Sequence, residues 1–352
     1  MTSQERVLLA LQRQQPDRVP IHDSPWGTTE ERWHREGLPE GVSSADHFGF
    51  EFSGVGGDTS FQLERKVIEE NDDFVIATDS RGATMKNWKK KTSTPELVDF
   101  TIKDRRTWEE YKPLCAWNDR RVDWEGQRKS YDAARAKGKF CYIGFAPGFT
   151  LVSDTIGPER LLIAMVEDPE WAADMYMTDA RLCVAIAEEM MARGFDIDAG
   201  WIFDDLGYKK KGFFSNAMYR EQLLPAHKLI CDCLHSRGKP MLLHCCGYAS
   251  QFMDEFIEAG FDCIQPLEVK AGNDLIELKK QYGDRLAFMG GIDVRAMIDP
   301  DPSVIEREIE TKLSVAKAGG GYIYHSDHSV PDDVSFDQYK RVMALVEQYG
   351  RY

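Results

Sequence analysis

Beginning near residue 120, short apolar runs bounded by Gly, Pro and Asp alternate with longer amphipathic runs as far as the C-terminus. The apolar runs predict strands over 140–145, 199–203, 240–243, 262–266, 285–289 and 322–324. The amphipathic runs predict helices over 124–137, 158–167, 169–193, 217–236, 251–259, 275–282, 302–318 and 336–349. Proline opens the helices at 158 and 169, where its missing N–H has no partner to lose. Strands that alternate with helices through short turns build parallel βαβ units. Upstream, a helix over 4–13 with Ser3 as its cap leads to a first strand at 19–22, and strand-like pieces follow at 73–78 and 83–88. The total is about eight strands, which favours a (β/α)8 barrel of the TIM type. An open doubly wound sheet is disfavoured because no G-x-G-x-x-G turn follows a first strand. The expectation is one domain over 1–352, with 1–119 an N-terminal elaboration and 120–352 the main barrel repeats.

The formal net charge of −15 argues against electrostatic binding to nucleic acid or to an anionic membrane surface. No run of 18 apolar residues is present, so no membrane-spanning helix is expected. The N-terminal residues carry no apolar signal core, and eight cysteines in a chain of 352 residues suit a reducing compartment. A cytoplasmic location is therefore expected.

In such barrels chemistry gathers at the C-terminal ends of the strands. The most informative end is Pro240-Met-Leu-Leu-His-Cys-Cys-Gly247. Side chains alternate along a strand, so His244 and Cys246 point one way and Cys245 the other. An imidazole and a thiol converging there make half of a zinc site, and His328 is the first choice for a third ligand. The same pattern is compatible with a buried cysteine and a hydrogen-bonded histidine that pack the barrel mouth. Asp204 and Asp205 follow the strand at 199–203, and alternation lets only one of them face the mouth. That carboxylate suits proton transfer or the holding of a cation, while a capping role is open to either. Glu268, Asp293, His325 and His328 lie beyond later strands. Phe145 and Phe149 flank the end of the strand at 140–145 and, with Asp204, Asp293 and His325, are candidates for substrate contact.

Several segments resemble the uroporphyrinogen decarboxylase superfamily. They are Glu5-Arg-Val-Leu-Leu-Ala-Leu11 with Pro16-Asp-Arg-Val-Pro20, Asp204-Asp-Leu-Gly207, the 238–247 segment, Phe288-Met-Gly-Gly-Ile-Asp293, and Gly319-Gly-Gly-Tyr-Ile323 with the His328 loop. The resemblance spans most of the chain, is densest over 199–350, and implies the same barrel. Decarboxylases of this superfamily carry a Met-Arg-Gln-Ala-Gly-Arg segment whose arginines hold substrate carboxylates. The corresponding Ile21-His-Asp-Ser-Pro-Trp-Gly27 has no arginine. The other branch comprises corrinoid-dependent methyltransferases, which carry His-x-Cys and a later cysteine as zinc ligands. Here His244 and Cys246 match, and His328 stands where that cysteine is expected.

The resemblance thus implies a methyltransferase that moves a methyl group between a small methylated substrate or thiol and the cobalt of a corrinoid. Zn²⁺ would be held by His244, Cys246 and His328. Asp205, Glu268 and His328 would act as catalytic groups that orient substrate or transfer protons. No D-x-H-x-x-G segment is present, so a corrinoid would arrive on a partner protein. Related barrels often pair as homodimers. The alternative is a metal-free decarboxylase or lyase that uses Asp205 and His328 on another carboxylated substrate.

Overall fold

In a computed structural model, which describes residues 1–90 and 94–352, the chain forms a mixed α/β fold around one parallel sheet. The strands are β1 (Phe52–Val55), β2 (Lys66–Glu70), β3 (Phe74–Thr78), β4 (Ala83–Trp88), β5 (Glu96–Phe100), β6 (Phe140–Phe145) and β7 (Ala199–Phe203). They continue as β8 (Gly207–Tyr208), β9 (Lys211–Gly212), β10 (Met241–His244), β11 (Cys263–Gln265), β12 (Ala287–Met289) and β13 (Tyr322–Ile323). Seven of them pair in the order β1-β6-β7-β10-β11-β12-β13, every neighbour parallel. The segment predicted as the first strand, 19–22, bonds beyond both edges of this sheet. His22 N–H donates to the Tyr324 carbonyl at 3.1 Å, and Glu51 N–H donates to the Ile21 carbonyl at 2.9 Å. Buried Glu51 fixes that segment by accepting from Ile21 N–H at 2.7 Å while pairing with Arg6 and Arg18.

The inward faces of the strands supply Phe52, Phe140, Trp201, Leu242, Met289 and Ile323, all buried, and Val7, Ala10 and Leu11 of the first helix close this core. Each such large apolar side chain contributes roughly 1.5–3 kcal/mol when fully buried. The outward faces pack against helices, the longest being Pro169–Ala192 with Trp171, Met175, Tyr176 and Ile186 buried. Among the described residues no helix is long and apolar enough to cross a membrane.

The predicted elements from 120 onward are present within a few residues, and the structure departs from expectation at four places. The N-terminal stretch is not only an elaboration, because β1 is a member of the parallel sheet. The pieces at 73–78 and 83–88 are strands, yet they belong to a separate antiparallel sheet, β2-β3-β4-β5. A helix over Phe149–Ile156, absent from the predicted helices, follows β6. The first helix is capped by Thr2 in a capping box with Glu5, not by Ser3, because Thr2 keeps extended backbone while Ser3 is already the first helical residue.

Candidate active site

The site forms where β7, β10 and β11 end side by side. Their register aligns Phe203, His244 and Gln265 in one row. Parallel neighbours in register point their side chains to the same face, so these three project together. Beyond His244 the chain turns. Cys245 is buried, and its Sγ accepts from Leu206 N–H at 3.4 Å. Cys246 returns to the His244 side, with Sγ 3.3 Å from His244 Nε2. The alternation expected from the sequence therefore holds for all three residues.

Two carboxylates come to the same place from neighbouring loops. Asp205 Oδ1 accepts from Cys246 N–H at 2.8 Å and lies 3.4 Å from His244 Nε2. Glu268 Oε1 accepts from Gly247 N–H at 3.0 Å. Among the described residues, two groups place their donor atoms within 4.8 Å of one another: Asp205, His244 and Cys246, and then Cys246, Glu268 and His328. Cys246 is shared. The triad expected from the sequence, His244 with Cys246 and His328, is not one of these groups; a carboxylate completes each instead. The reason is placement: Asp205 leaves β7 next to β10, whereas His328 lies five residues past the end of β13.

Burial, followed by the nearby Asp205 and Glu268 charges, pushes the Cys246 thiol far above its ordinary range. Burial also acts to raise Asp205. His244, when its ring is charged, and the Cys246 N–H outweigh it and hold the carboxyl below its usual value. The cation recorded against these carboxylates among the described residues is Lys270, 3.5 Å from Glu268. The donor set is thus rich in potential negative charge and poor in counter-charge.

Gly247 lets the Cys246 loop reach this position. Its φ is +76°, and a Cβ there would lie 2.4 Å from the Gly207 carbonyl group. Gly207 N–H in turn donates to the Cys246 carbonyl at 3.2 Å, so two backbones touch with no room for a side chain. Gly247→Ala is expected to cost about 1–3 kcal/mol of stability and to displace Cys246. Urea unfolding and metal uptake measured on the same variant check both effects.

His244, Cys246 and His328 border a cavity of about 280 Å³, with Asp205 and Glu268 set behind them. One wall is aromatic, formed by Trp26, Tyr142, Trp201 and Phe203 with His22. Trp201 stacks on Phe203 with ring centres 5.2 Å apart, and Phe203 meets the His244 ring at 5.6 Å. His244, Cys246, Gln265, His325 and His328 form the polar side, and His328 stacks on Trp26 at 6.5 Å. No Arg or Lys lines this cavity among the described residues. Tyr142 and Phe203 also border a wider opening of about 800 Å³ beside it.

Residues 75–349 match the family described as uroporphyrinogen decarboxylase (URO-D). The chain belongs to the uroporphyrinogen decarboxylase family. Relatives include the uroporphyrinogen decarboxylase of Salinispora tropica, 29% identical over 220 residues that cover 58% of this chain and 54% of that one. The uroporphyrinogen decarboxylase of Pectobacterium atrosepticum is 28% identical over 137 residues, 38% of this chain and 36% of its own. The match thus spans about half the length of the first relative and about a third of the second. Among solved structures, a methyltransferase from Methanosarcina mazei superposes with a TM-score of 0.71 over 99% of both chains at 16% identity, a likeness of fold.

In this member of the uroporphyrinogen decarboxylase family, several expected substrate contacts lie away from the cavity. Asp204 is fully buried, and its carboxylate caps the helix Phe149–Ile156 by accepting from Phe149 N–H at 3.1 Å and Thr150 N–H at 2.7 Å. His227 Nε2 lies 3.1 Å from the same carboxylate, which leaves it no reach toward substrate. Phe149 is buried against Phe213 and Phe214. Asp293 caps the helix Val294–Ile298 and pairs with Arg295 at 2.6 Å. Phe145 borders the wider opening, not the cavity. His325 does line the cavity, though only 1% exposed, and its ring is engaged by its neighbours. Sequence reasoning passed over His22, Trp201 and Gln265. The inward alternation of β7 could have marked Trp201, whereas Gln265 needed the β10–β11 register.

Proposed function

We propose that the chain is a zinc-dependent methyltransferase, built on a closed (β/α)8 barrel in a reducing, cytoplasmic setting, that exchanges a methyl group between a small substrate and the cobalt of a corrinoid on a separate protein. The observation that carries this reading is the donor set itself. A thiol, an imidazole and a carboxylate converge at the cavity wall with little compensating positive charge. Such a set fits Zn²⁺, which takes sulfur, nitrogen and oxygen ligands. His244, Cys246 and Asp205 would hold the ion; Glu268 and His328 stand around Cys246, and of these two His328 lines the cavity. Bound zinc would supply Lewis acidity to the substrate heteroatom that keeps the electron pair when the methyl group departs.

The chain's own residues do the rest. The aromatic wall seats the substrate and excludes water. Asp205 holds the Cys246 backbone through its N–H, and Glu268 holds that of Gly247. His328 can take or return a proton at the heteroatom from its place beside Trp26. The reading of a decarboxylase draws on the names of the curated relatives. The cavity beside Cys246 has no Arg or Lys among its described lining residues, and Arg120 and Arg121 line the wider opening next to it, so a carboxylate held at the thiol would lack a direct cationic partner, which favours methyl transfer.

The pH dependence of metal uptake follows from Cys246. Its thiol is raised far above neutrality, so it is protonated throughout pH 6–8 and must lose that proton to bind an ion. Zinc affinity is expected to rise with pH, by about tenfold per unit for the one proton released. A titration against a competing chelator at several pH values checks this.

The activity test is methylation of reduced cobalamin by a panel of methyl ethers, thioethers and methylamines, with metal-free and zinc-restored protein. Transfer from one donor class, dependent on zinc, is the expected result. Turnover unchanged by metal removal, or release of CO₂ from a carboxylated substrate alone, would overturn the reading.

A further inference from the structure

A chain of hydrogen bonds runs from His244 away from the cavity, and its direction can be read from one end. The Ser326 carbonyl oxygen has only lone pairs, so His325 Nδ1, 2.7 Å from it, carries a proton. Burial lowers the His325 pKa below the ordinary imidazole value, which leaves the ring neutral and its Nε2 an acceptor. The Gln265 amide nitrogen lies 3.3 Å from that Nε2 and donates to it, as the Ser24 hydroxyl can from the other side at 3.3 Å. With the amide so oriented, Gln265 Oε1 faces His244 Nδ1 at 2.6 Å and can only accept. His244 therefore carries its proton on Nδ1. Its Nε2 lone pair points to Cys246 Sγ at 3.3 Å and Asp205 Oδ1 at 3.4 Å.

We infer that Gln265 and His325 are positioning residues that fix the tautomer of His244, and that through it they set how tightly the His244–Cys246–Asp205 group takes a divalent cation. The inference rests on the zinc reading above for its metal part only. The relay is built into the fold. Gln265 is the register partner of His244 on the adjacent strand, and the far end is held where the Ser326 hydroxyl donates to buried Asp23. Asp23 also accepts from Tyr339 Oη at 2.7 Å and Tyr324 Oη at 3.2 Å. A ligating histidine whose second nitrogen has a fixed acceptor is both oriented and a better donor, and loss of such a partner commonly costs about 10–100-fold in metal affinity.

The test uses full-length protein, wild type, Gln265→Leu and Gln265→Glu. Imidazole ¹⁵N shifts are recorded without metal near pH 9, about two units above an ordinary histidine. The wild type should show His244 protonated on Nδ1 alone, Gln265→Leu should lose that preference, and Gln265→Glu, which keeps an acceptor, should retain it. Zinc affinity of Gln265→Leu should fall about 10–100-fold in a chelator competition. His244 protonated on Nε2 in the wild type, or an unchanged tautomer in a folded Gln265→Leu, would overturn the relay. A wild type that binds no zinc overturns the metal part, and the two failures are told apart because the tautomer is read without metal.

Discussion

Asp204→Ala is expected to destabilise the protein by about 3–5 kcal/mol, because it leaves buried donors without an acceptor. The Phe149 and Thr150 N–H groups and the His227 ring all point to that carboxylate, and both Asp204 and His227 are closed to solvent. The chain extends inward from there, since His227 Nδ1 lies 2.9 Å from the buried Tyr219 hydroxyl. Gly148 completes the arrangement: at its φ of +89° a Cβ would stand 2.3 Å from the Asp204 carboxylate. Urea unfolding measures the loss. Asp204→Asn should lie between wild type and alanine, since its one carbonyl oxygen can still accept. A near-neutral Asp204→Ala would show that the helix Phe149–Ile156 does not depend on this cap.

The second large effect falls on the metal. Replacing a residue that merely orients a ligand weakens metal binding by about 10–100-fold, so removing the thiol or the imidazole itself should cost on the order of 100-fold or more. Cys246→Ser and His244→Ala are therefore expected to emerge metal-free from purification while the wild type retains about one zinc per chain. Neither side chain belongs to the buried core, so both variants should fold. Elemental analysis beside a thermal unfolding scan separates loss of metal from loss of structure. Cys245→Ser is the matched control, because its sulfur faces Leu206 N–H and not the cavity.

Much of this arrangement was legible in the sequence because period-two alternation is local. It placed His244 and Cys246 together and Cys245 opposite, and it required Asp204 and Asp205 to part company. What alternation could not supply was register and the return of distant loops. Gln265 meets His244 only because β10 and β11 align residue for residue. Asp204 finds its partners at residues 149 and 150, which the chain reaches about fifty-five positions earlier. His328 was expected to join His244, yet it follows a loop whose direction is set by the bridge between Ile292 and Ser326. The N-terminal third was read least well. Phe52-Ser-Gly-Val55 is too short and too glycine-rich to announce a strand, although β6 pairs with it along its whole length.

The most direct test of the proposed zinc centre is X-ray absorption at the zinc edge on metal-restored wild-type protein. The account predicts one sulfur at about 2.3 Å and the remaining ligands nitrogen or oxygen near 2.0–2.2 Å, with the sulfur contribution absent from Cys246→Ser. A shell without sulfur, a shell with more than one sulfur, or a wild type that holds no zinc would contradict it.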